Sequence, residues 1–141
     1  MSRICLVSDS KSQRSMKALA ENLFSSAQFQ KSKAYAIAKC NRWYILSARY
    51  GLIEPNQLIE PYGMMFDDLP GEQKFKWGQQ VLASILQQRI AAYDVIVLLA
   101  GASYQSYLLP VLQARRYTIE TPLKGLSAVD QLAWLEHATK S

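Results

Sequence analysis

Two patterns of apolar residues alternate along this chain. Short runs that are apolar throughout are typical of strands buried on both faces of a parallel sheet, whereas apolar residues recurring every three or four positions predict amphipathic helices. Three runs of the first kind predict strands at residues 3–8, 43–48 and 94–99, and a more amphipathic run predicts a fourth strand at residues 117–121. The longer stretches between the runs are therefore predicted to be mainly helical.

The helical spacing predicts five helices. Two lie within residues 12–39 and are separated at Ser25-Ser26, where a serine can cap the second helix. The other three are predicted at residues 71–93, 102–115 and 127–139. Residues 52–70 contain three prolines and a glycine, and a connection of this length is uncommon unless it forms a lid or a binding loop.

Strands that alternate with helices predict the fold class. Right-handed crossovers between parallel strands place helices on both faces of one sheet. We therefore predict a single α/β domain over residues 1–141, with three α/β/α layers and a four-stranded parallel sheet in the order 2-1-3-4. In that order the strand sequence reverses between the first and third strands.

Composition limits the classes of protein that fit. Half of the 141 residues are hydrophobic and 19% are charged, and no apolar run approaches the roughly 20 residues that span a bilayer. The first apolar run is also too short for a signal peptide, so we predict a soluble cytoplasmic protein without a membrane partner. Cys5 and Cys40 lack a Cys-x-x-Cys spacing and are interpreted as buried or half-buried thiols.

The formal net charge of +5 favours an anionic partner. Clustered lysines and arginines supply the sequence-independent part of nucleic-acid affinity, so we expect a nucleotide or a nucleic acid. A protein partner is the other possibility that the sequence leaves open.

The turns after the first and third strands predict the site. Ligands of open parallel sheets bind beyond the carboxyl ends of the strands, at the point where strand order reverses. The candidate binding residues in these two turns are Ser8, Ser10, Lys11, Gly101, Ser103 and Tyr104. Serine hydroxyls and backbone N–H groups at a helix start can bind phosphate or carboxylate, although the first turn could equally be a simple helix cap.

Further candidates follow the other strands. Ser47, Arg49 and Tyr50 end the second strand, where the guanidinium could bind phosphate and the phenol could stack on a base, or both could simply be surface groups. Tyr62 could lie over the cleft or pin the long connection to the core. Lys124, in the turn after the fourth strand, adds a basic group to the predicted rim.

Asp9 is the candidate catalytic residue, and the other carboxylates near the predicted cleft that could do acid–base chemistry are those of the long connection, Glu54, Glu60, Asp67 and Asp68. Asp9 follows the first strand directly, and a carboxylate there can act as a general acid or base. The single histidine, His137, lies near the chain end and is interpreted as a partner of the last helix dipole. No metal site and no cofactor are predicted, and the absence of a Gly-x-Ser-x-Gly turn disfavours a serine hydrolase.

The chain resembles a widespread bacterial and phage domain family without an established function. The resemblance rests on segments that span nearly the whole chain. These segments are Leu23–Phe29, Tyr44–Leu52, Ile59–Tyr62, Leu99–Tyr104, Pro122–Leu126 and Gln131–Leu135, together with a first turn that resembles Cys-Ser-x-Lys. Relatives usually carry cysteine in that turn, whereas this chain has Asp9, which puts a thiolate mechanism in doubt and allows an acid–base role.

The resemblance implies base or nucleotide chemistry. The family is similar in layout to uracil-DNA-glycosylase-like α/β domains and to domains that accompany deazaguanine modification, although a shared fold does not assign a mechanism. The sequence therefore leaves three hypotheses. They are an enzyme that cleaves or exchanges an N-glycosidic bond, a non-catalytic module that binds a nucleotide, a nucleic acid or a protein, and an interaction domain that uses Met64, Met65 and Phe66 as its contact.

Overall fold

A computed structural model describes residues 2–141 and shows a mixed α/β fold. The strands are β1 (Arg3–Ser8), β2 (Ala18–Leu19), β3 (Arg42–Ser47), β4 (Gly51–Ile53), β5 (Leu58–Ile59), β6 (Val95–Leu99) and β7 (Thr118–Glu120). The helices are α1 (Ala20–Leu23), α2 (Ala27–Lys39), α3 (Gly71–Gln87), α4 (Ala102–Ala114) and α5 (Ala128–Lys140), with a 3₁₀ turn at Phe66–Asp68.

The central sheet has five strands in the order β4-β3-β1-β6-β7. Strand β1 pairs in parallel with β3 on one side and with β6 on the other. Alternate side chains of β1 enter different cores, because successive residues of a strand point to opposite faces. Ile4 and Leu6 pack in the core that includes α3 and α4, whereas Cys5 and Val7 pack in the core that includes α2 and α5.

The prediction of a four-stranded, fully parallel sheet is wrong in one respect. The predicted strands keep the order 2-1-3-4, but β4 adds a fifth strand that runs antiparallel to β3. Gly51 makes this reversal possible, because its φ of +76° lies in the left-handed region that favours glycine. The residues that follow it therefore return along β3 instead of entering the long connection directly.

Two predicted helices also differ from the structure. The helix predicted before Ser25 is reduced to Ala20–Leu23, because the preceding segment pairs with the long connection through β2 and β5. The helix predicted to reach residue 93 ends at Gln87. Arg89 adopts a φ of 58° just beyond that end, a left-handed conformation that an α-helix cannot contain.

The interpretation of Cys5 and Cys40 as thiols is wrong. The two residues form a disulfide across 35 positions of sequence, with their Cα atoms 6.1 Å apart. Cys5 lies within β1, and Cys40 caps the carboxyl end of α2, so the β-α crossover brings them together. Within residues 2–141, no helix combines the length and the apolar character needed to cross a membrane.

Gly78 marks a close contact between α3 and α4. A Cβ atom on Gly78 would lie 2.6 Å from the Tyr107 carbonyl oxygen, which is closer than van der Waals contact allows. We expect Gly78→Ala to lower the free energy of unfolding by roughly 1–3 kcal/mol, because forced overpacking outweighs the better helix propensity of alanine. Urea denaturation measures this change.

Gly71→Ala is the matched control for Gly78→Ala. Gly71 belongs to the same helix, but a Cβ atom there would lie 3.8 Å from the Tyr107 hydroxyl, an ordinary contact. We expect this control to keep wild-type stability to within about 0.5 kcal/mol. A Gly78→Ala variant as stable as the control would show that the two helices separate without cost.

Candidate functional site

A cleft of about 380 Å³ opens where β1 and β6 end, at the reversal of strand order. Its walls come from the turn after β1, the 3₁₀ segment of the long connection, and the first turn of α4. The lining residues are Ser8, Asp9, Met65, Phe66, Asp67, Gly101, Ala102, Ser103 and Tyr104. A concavity therefore lies at the predicted switch point.

Asp9 is held in this cleft by three donors. Its Oδ2 accepts hydrogen bonds from the Tyr62 hydroxyl at 2.5 Å and from the Ala48 backbone N–H at 3.0 Å. Its Oδ1 accepts a hydrogen bond from the Tyr104 hydroxyl. The Asp9 backbone N–H donates to the Leu46 carbonyl at 2.9 Å, which ties the turn to β3. The carboxyl group is thereby fixed in one orientation.

The surroundings of Asp9 change its acidity. Burial raises the pKa of Asp9 above its ordinary value, although the hydrogen bonds from Tyr104, Tyr62 and Ala48 act in the opposite direction. Burial and the nearby carboxylate raise the pKa of both Tyr62 and Tyr104. The two phenols therefore stay protonated, and Asp9 is the group of this network that can change its charge.

Ser47 connects the network to the backbone of β3 and its turn. Its hydroxyl accepts hydrogen bonds from the N–H groups of Arg49 at 3.2 Å and Tyr50 at 3.0 Å, and donates to the Tyr62 hydroxyl at 2.7 Å. The Ser47 carbonyl accepts a bond of 2.8 Å from the Trp77 indole. Ser47 is fully buried, so this part of the network is shielded from water.

An aromatic cluster supports the other side of the cleft. The Phe66 ring stacks on Tyr104 with centroids 4.4 Å apart and meets Trp77 edge-on at 4.7 Å. The Lys74 ammonium lies 5.7 Å from the centroid of the Phe66 ring. Because Tyr104 uses its ring for this packing and its hydroxyl for Asp9, the structure does not show the free ring face needed to stack on a base.

The structure brings together part of the predicted set. Five predicted residues line the cleft, and two more reach it through hydrogen bonds to Asp9 or to its partner. The lining residues are Ser8, Asp9, Gly101, Ser103 and Tyr104, and the connected residues are Tyr62 and Ser47. Asp9, the predicted catalytic residue, is therefore one of the residues that line the cleft.

The other predicted residues do not line the cleft. The Ser10 hydroxyl donates to the Ser12 carbonyl, and the Lys11 side chain is exposed. Arg49 lines a separate groove with Lys76 and Trp77, and its guanidinium lies 5.4 Å from the centroid of the Tyr50 ring. Lys124 is an exposed residue of the turn before α5.

Met65, Phe66 and Asp67 also line the cleft, although Met65 and Phe66 were predicted only as a contact surface and Asp67 only as an acid–base candidate of the long connection. They belong to the long connection between β4 and α3, and its unusual length was the available signal. The hypothesis that Met64, Met65 and Phe66 form a protein contact meets one obstacle, because Phe66 is only 2% exposed. Within the part of the chain that the structure describes, no three His, Cys, Asp or Glu side chains are grouped to bind one metal ion.

The raised pKa of Asp9 predicts how stability depends on pH. The folded chain keeps this proton to higher pH than the unfolded chain, in which the pKa lies near 3.8. The resulting contribution is fully present below that value and is lost as pH rises through the folded-state pKa. We expect the unfolding free energy of the wild type minus that of Asp9→Asn to fall as pH rises above the unfolded-state pKa near 3.8 and through the folded-state pKa.

Chemical denaturation of both proteins at several pH values measures that difference. Asp94 and Glu136 have lowered pKa values, which make the unfolding free energy rise with pH. Both proteins contain these two residues, so their effects cancel in the difference. The backbone N–H groups of Ser2 and Ala91 lower the pKa of Asp94, and Lys31 and Lys140 lower that of Glu136. A difference that stays flat or rises with pH would contradict a raised pKa for Asp9.

One protein family matches nearly the whole chain, over residues 4–137, and it is described as a family of unknown function. The match includes β1, the long connection, α4 and most of α5. No curated protein and no solved structure matches the chain. The predicted similarity to uracil-DNA-glycosylase-like domains therefore stays a prediction.

Proposed function

The chain belongs to DUF6884, a family of unknown function, and from the geometry of its cleft we propose that it is an enzyme acting on a nucleotide or a nucleic-acid base. The proposed reaction is the cleavage or exchange of an N-glycosidic bond. The observation that carries this proposal is the half-buried Asp9 carboxyl group, which lines a cleft at the switch point and is oriented by Tyr62 and Tyr104.

A carboxyl group in this position suits that reaction. When an N-glycosidic bond breaks, positive charge develops on the sugar and negative charge develops on the departing base. A carboxylate stabilises the first charge, and the proton of a carboxylic acid neutralises the second. The raised pKa of Asp9 supports both roles, because it brings the change of protonation state closer to neutral pH.

The rest of the cleft supports a small polar ligand. Its volume of about 380 Å³ lies within the range of small-molecule sites. Ser8 and Ser103 offer hydroxyl groups to a sugar or a phosphate. The first turn of α4 contributes backbone N–H groups that have no partner within the helix, and Gly101, the cap residue, leaves the space beside its backbone open.

A non-catalytic nucleotide-binding module is the second candidate. The observation that favours it is the set of three donors on Asp9, because a carboxylate held in this way can also link the turn after β1 to the turn after β3, the long connection and α4. In that case the cleft would bind its ligand without changing it.

A substrate panel separates the two candidates. The wild-type protein is incubated with nucleosides, nucleoside monophosphates and short single- and double-stranded oligonucleotides, with a second free base added to detect exchange. Chromatography measures the released or exchanged base, and calorimetry measures binding. Release or exchange of a base supports the enzyme, and saturable binding without any product supports the module. Neither binding nor product with any member of the panel would overturn both.

A further inference from the structure

The two tyrosines that hold Asp9 are not equivalent, and the difference begins at Ser47. The Ser47 hydroxyl oxygen accepts hydrogen bonds from the backbone N–H groups of Arg49 and Tyr50. The single hydroxyl proton of Ser47 must therefore be donated to the Tyr62 hydroxyl. Tyr62 therefore has to donate its own proton to Asp9 Oδ2. We call this series of bonds the Ser47 arm, and its direction is set by backbone groups that cannot reverse.

The second series of bonds, the Tyr104 arm, is free to reverse. Within residues 2–141, the Tyr104 hydroxyl bonds to Asp9 Oδ1 alone, and both residues line the cleft. When Asp9 is ionised, Tyr104 donates to Oδ1. When Asp9 is protonated, Oδ2 is already an acceptor in the Ser47 arm, so the proton resides on Oδ1 and is donated to Tyr104. The Tyr104 proton can then point into the cleft.

We propose that Tyr104 is the catalytic proton relay of this cleft, and that Ser47 and Tyr62 are positioning residues that keep the exchangeable proton on Asp9 Oδ1. This inference rests on the proposed function for the identity of the group that receives the proton. The recipient is the nitrogen of a departing base, or another acceptor atom of a ligand in the same position.

The proposed step moves one proton from Asp9 to the departing base through Tyr104. The bond between the sugar carbon and the base nitrogen breaks, and its electron pair goes to the nitrogen. That nitrogen takes the Tyr104 proton while Tyr104 takes the Asp9 proton, which leaves Asp9 ionised opposite the positive sugar. Water then adds to the sugar carbon, and the proton it loses returns to Asp9 through Tyr104. The strongly raised pKa of Tyr104 favours simultaneous transfer, because a lasting phenolate would be costly.

The other titratable and charged groups around this network lie on three segments. Asp67 lines the same cleft from the 3₁₀ turn, and its charge helps to raise the pKa of Tyr104. The Tyr50 ring meets Tyr62 edge-on at 5.7 Å. Lys74 faces Phe66 from α3. None of these three groups hydrogen-bonds to Asp9 within the described residues, so the two arms decide where its proton resides.

Carboxyl NMR titration of Asp9 tests the location of the proton. Tyr62→Phe removes a donor from the ionised form, so we expect the pKa of Asp9 to rise. Tyr104→Phe removes a hydrogen-bond donor from the ionised form of Asp9 and an acceptor from the protonated form. The effects of these two losses on the pKa of Asp9 partly cancel. We expect the rise in Tyr62→Phe to exceed the rise in Tyr104→Phe by about one pH unit. An equal or reversed order would overturn the proposal.

Kinetics tests the relay. We expect Tyr104→Phe to lower kcat about 100-fold with little change in KM, and Tyr62→Phe to shift the pH profile while retaining most of the maximal rate. Tyr93→Phe is the matched control, because Tyr93 is 72% exposed and lies outside the cleft. Full kcat in Tyr104→Phe would overturn the relay.

A third variant and the wild type complete the test. Ser47→Ala probes the Ser47 arm without altering either tyrosine, and we expect it to raise the pKa of Asp9 less than Tyr62→Phe does. No rise at all in Ser47→Ala would contradict the role of Ser47. If the wild type releases no base from any substrate, the proposed function fails and proton relay to a base fails with it. The order of the Asp9 pKa values in Tyr62→Phe and Tyr104→Phe still decides whether the proton resides on Oδ1.

Discussion

The Asp9→Asn variant is expected to lose base release by about 100-fold to 10,000-fold while it binds its ligand with nearly wild-type affinity. The range is the usual contribution of a positioned general acid or base. Asparagine has the shape of aspartate, but it has no acidic proton to transfer to the base and no negative charge to place opposite a positive sugar. The loss should therefore appear in kcat and leave the binding constant nearly unchanged.

The hydrogen-bond network allows this substitution without loss of the fold. The asparagine oxygen can accept the bonds that Tyr62 and Ala48 donate to Oδ2, and its amide group can donate to the Tyr104 hydroxyl, which then acts as an acceptor. Thermal unfolding monitored by circular dichroism checks that the variant remains folded. A loss of kcat in a folded protein then reports on chemistry and not on structure.

Asp130→Asn is the matched control. Asp130 is an exposed residue in the first turn of α5 and does not line the cleft, so this substitution should leave base release at the wild-type rate. Wild-type kcat in Asp9→Asn would exclude Asp9 from the mechanism. Loss of binding together with loss of turnover would instead assign Asp9 to ligand recognition.

The layout of the sheet could be predicted because it depends on local patterns. Residues 4–7 of β1 and all of β6 are apolar, and strands of that kind are buried in the centre of a parallel sheet. The order 2-1-3-4 is the simplest doubly wound arrangement with right-handed crossovers, and its switch point predicts Asp9, Gly101 and Tyr104, which line the cleft. The antiparallel β4 was missed because a short edge strand has no distinct pattern, and only the turn glycine Gly51 indicates it.

The composition of the cleft could be predicted only in part, because residues at one edge of a sheet do not necessarily share a site. Neighbouring strands lie about 4.8 Å apart, so Lys124, which follows β7, starts two strand spacings from β1. Arg49 follows the adjacent β3 but points into another groove. The contact of Tyr62 with Asp9 joins residues 53 positions apart, a separation that no local pattern encodes.

The Phe66→Ala variant is expected to lower the free energy of unfolding by about 3–5 kcal/mol, the usual cost of removing a buried phenylalanine side chain. Phe66 is 2% exposed and lies within 6.0 Å of the ring centroids of Tyr104, Trp77 and Tyr107. Its removal leaves a cavity between the long connection and α4, in which these aromatic neighbours lose their contacts. Urea denaturation measures the change.

The same substitution should impair the cleft in the molecules that remain folded. The Phe66 ring supports the Tyr104 ring from 4.4 Å, and Tyr104 is the residue whose hydroxyl contacts Asp9 Oδ1. Phe75→Ala is the matched control, because Phe75 lies on α3 with 60% of its surface exposed and should cost no more than about 0.5 kcal/mol. Equal losses in the two variants would show that the long connection is held by contacts other than Phe66. A large loss of stability in Phe66→Ala with unchanged base release in the folded fraction would show instead that Tyr104 keeps its position without this support.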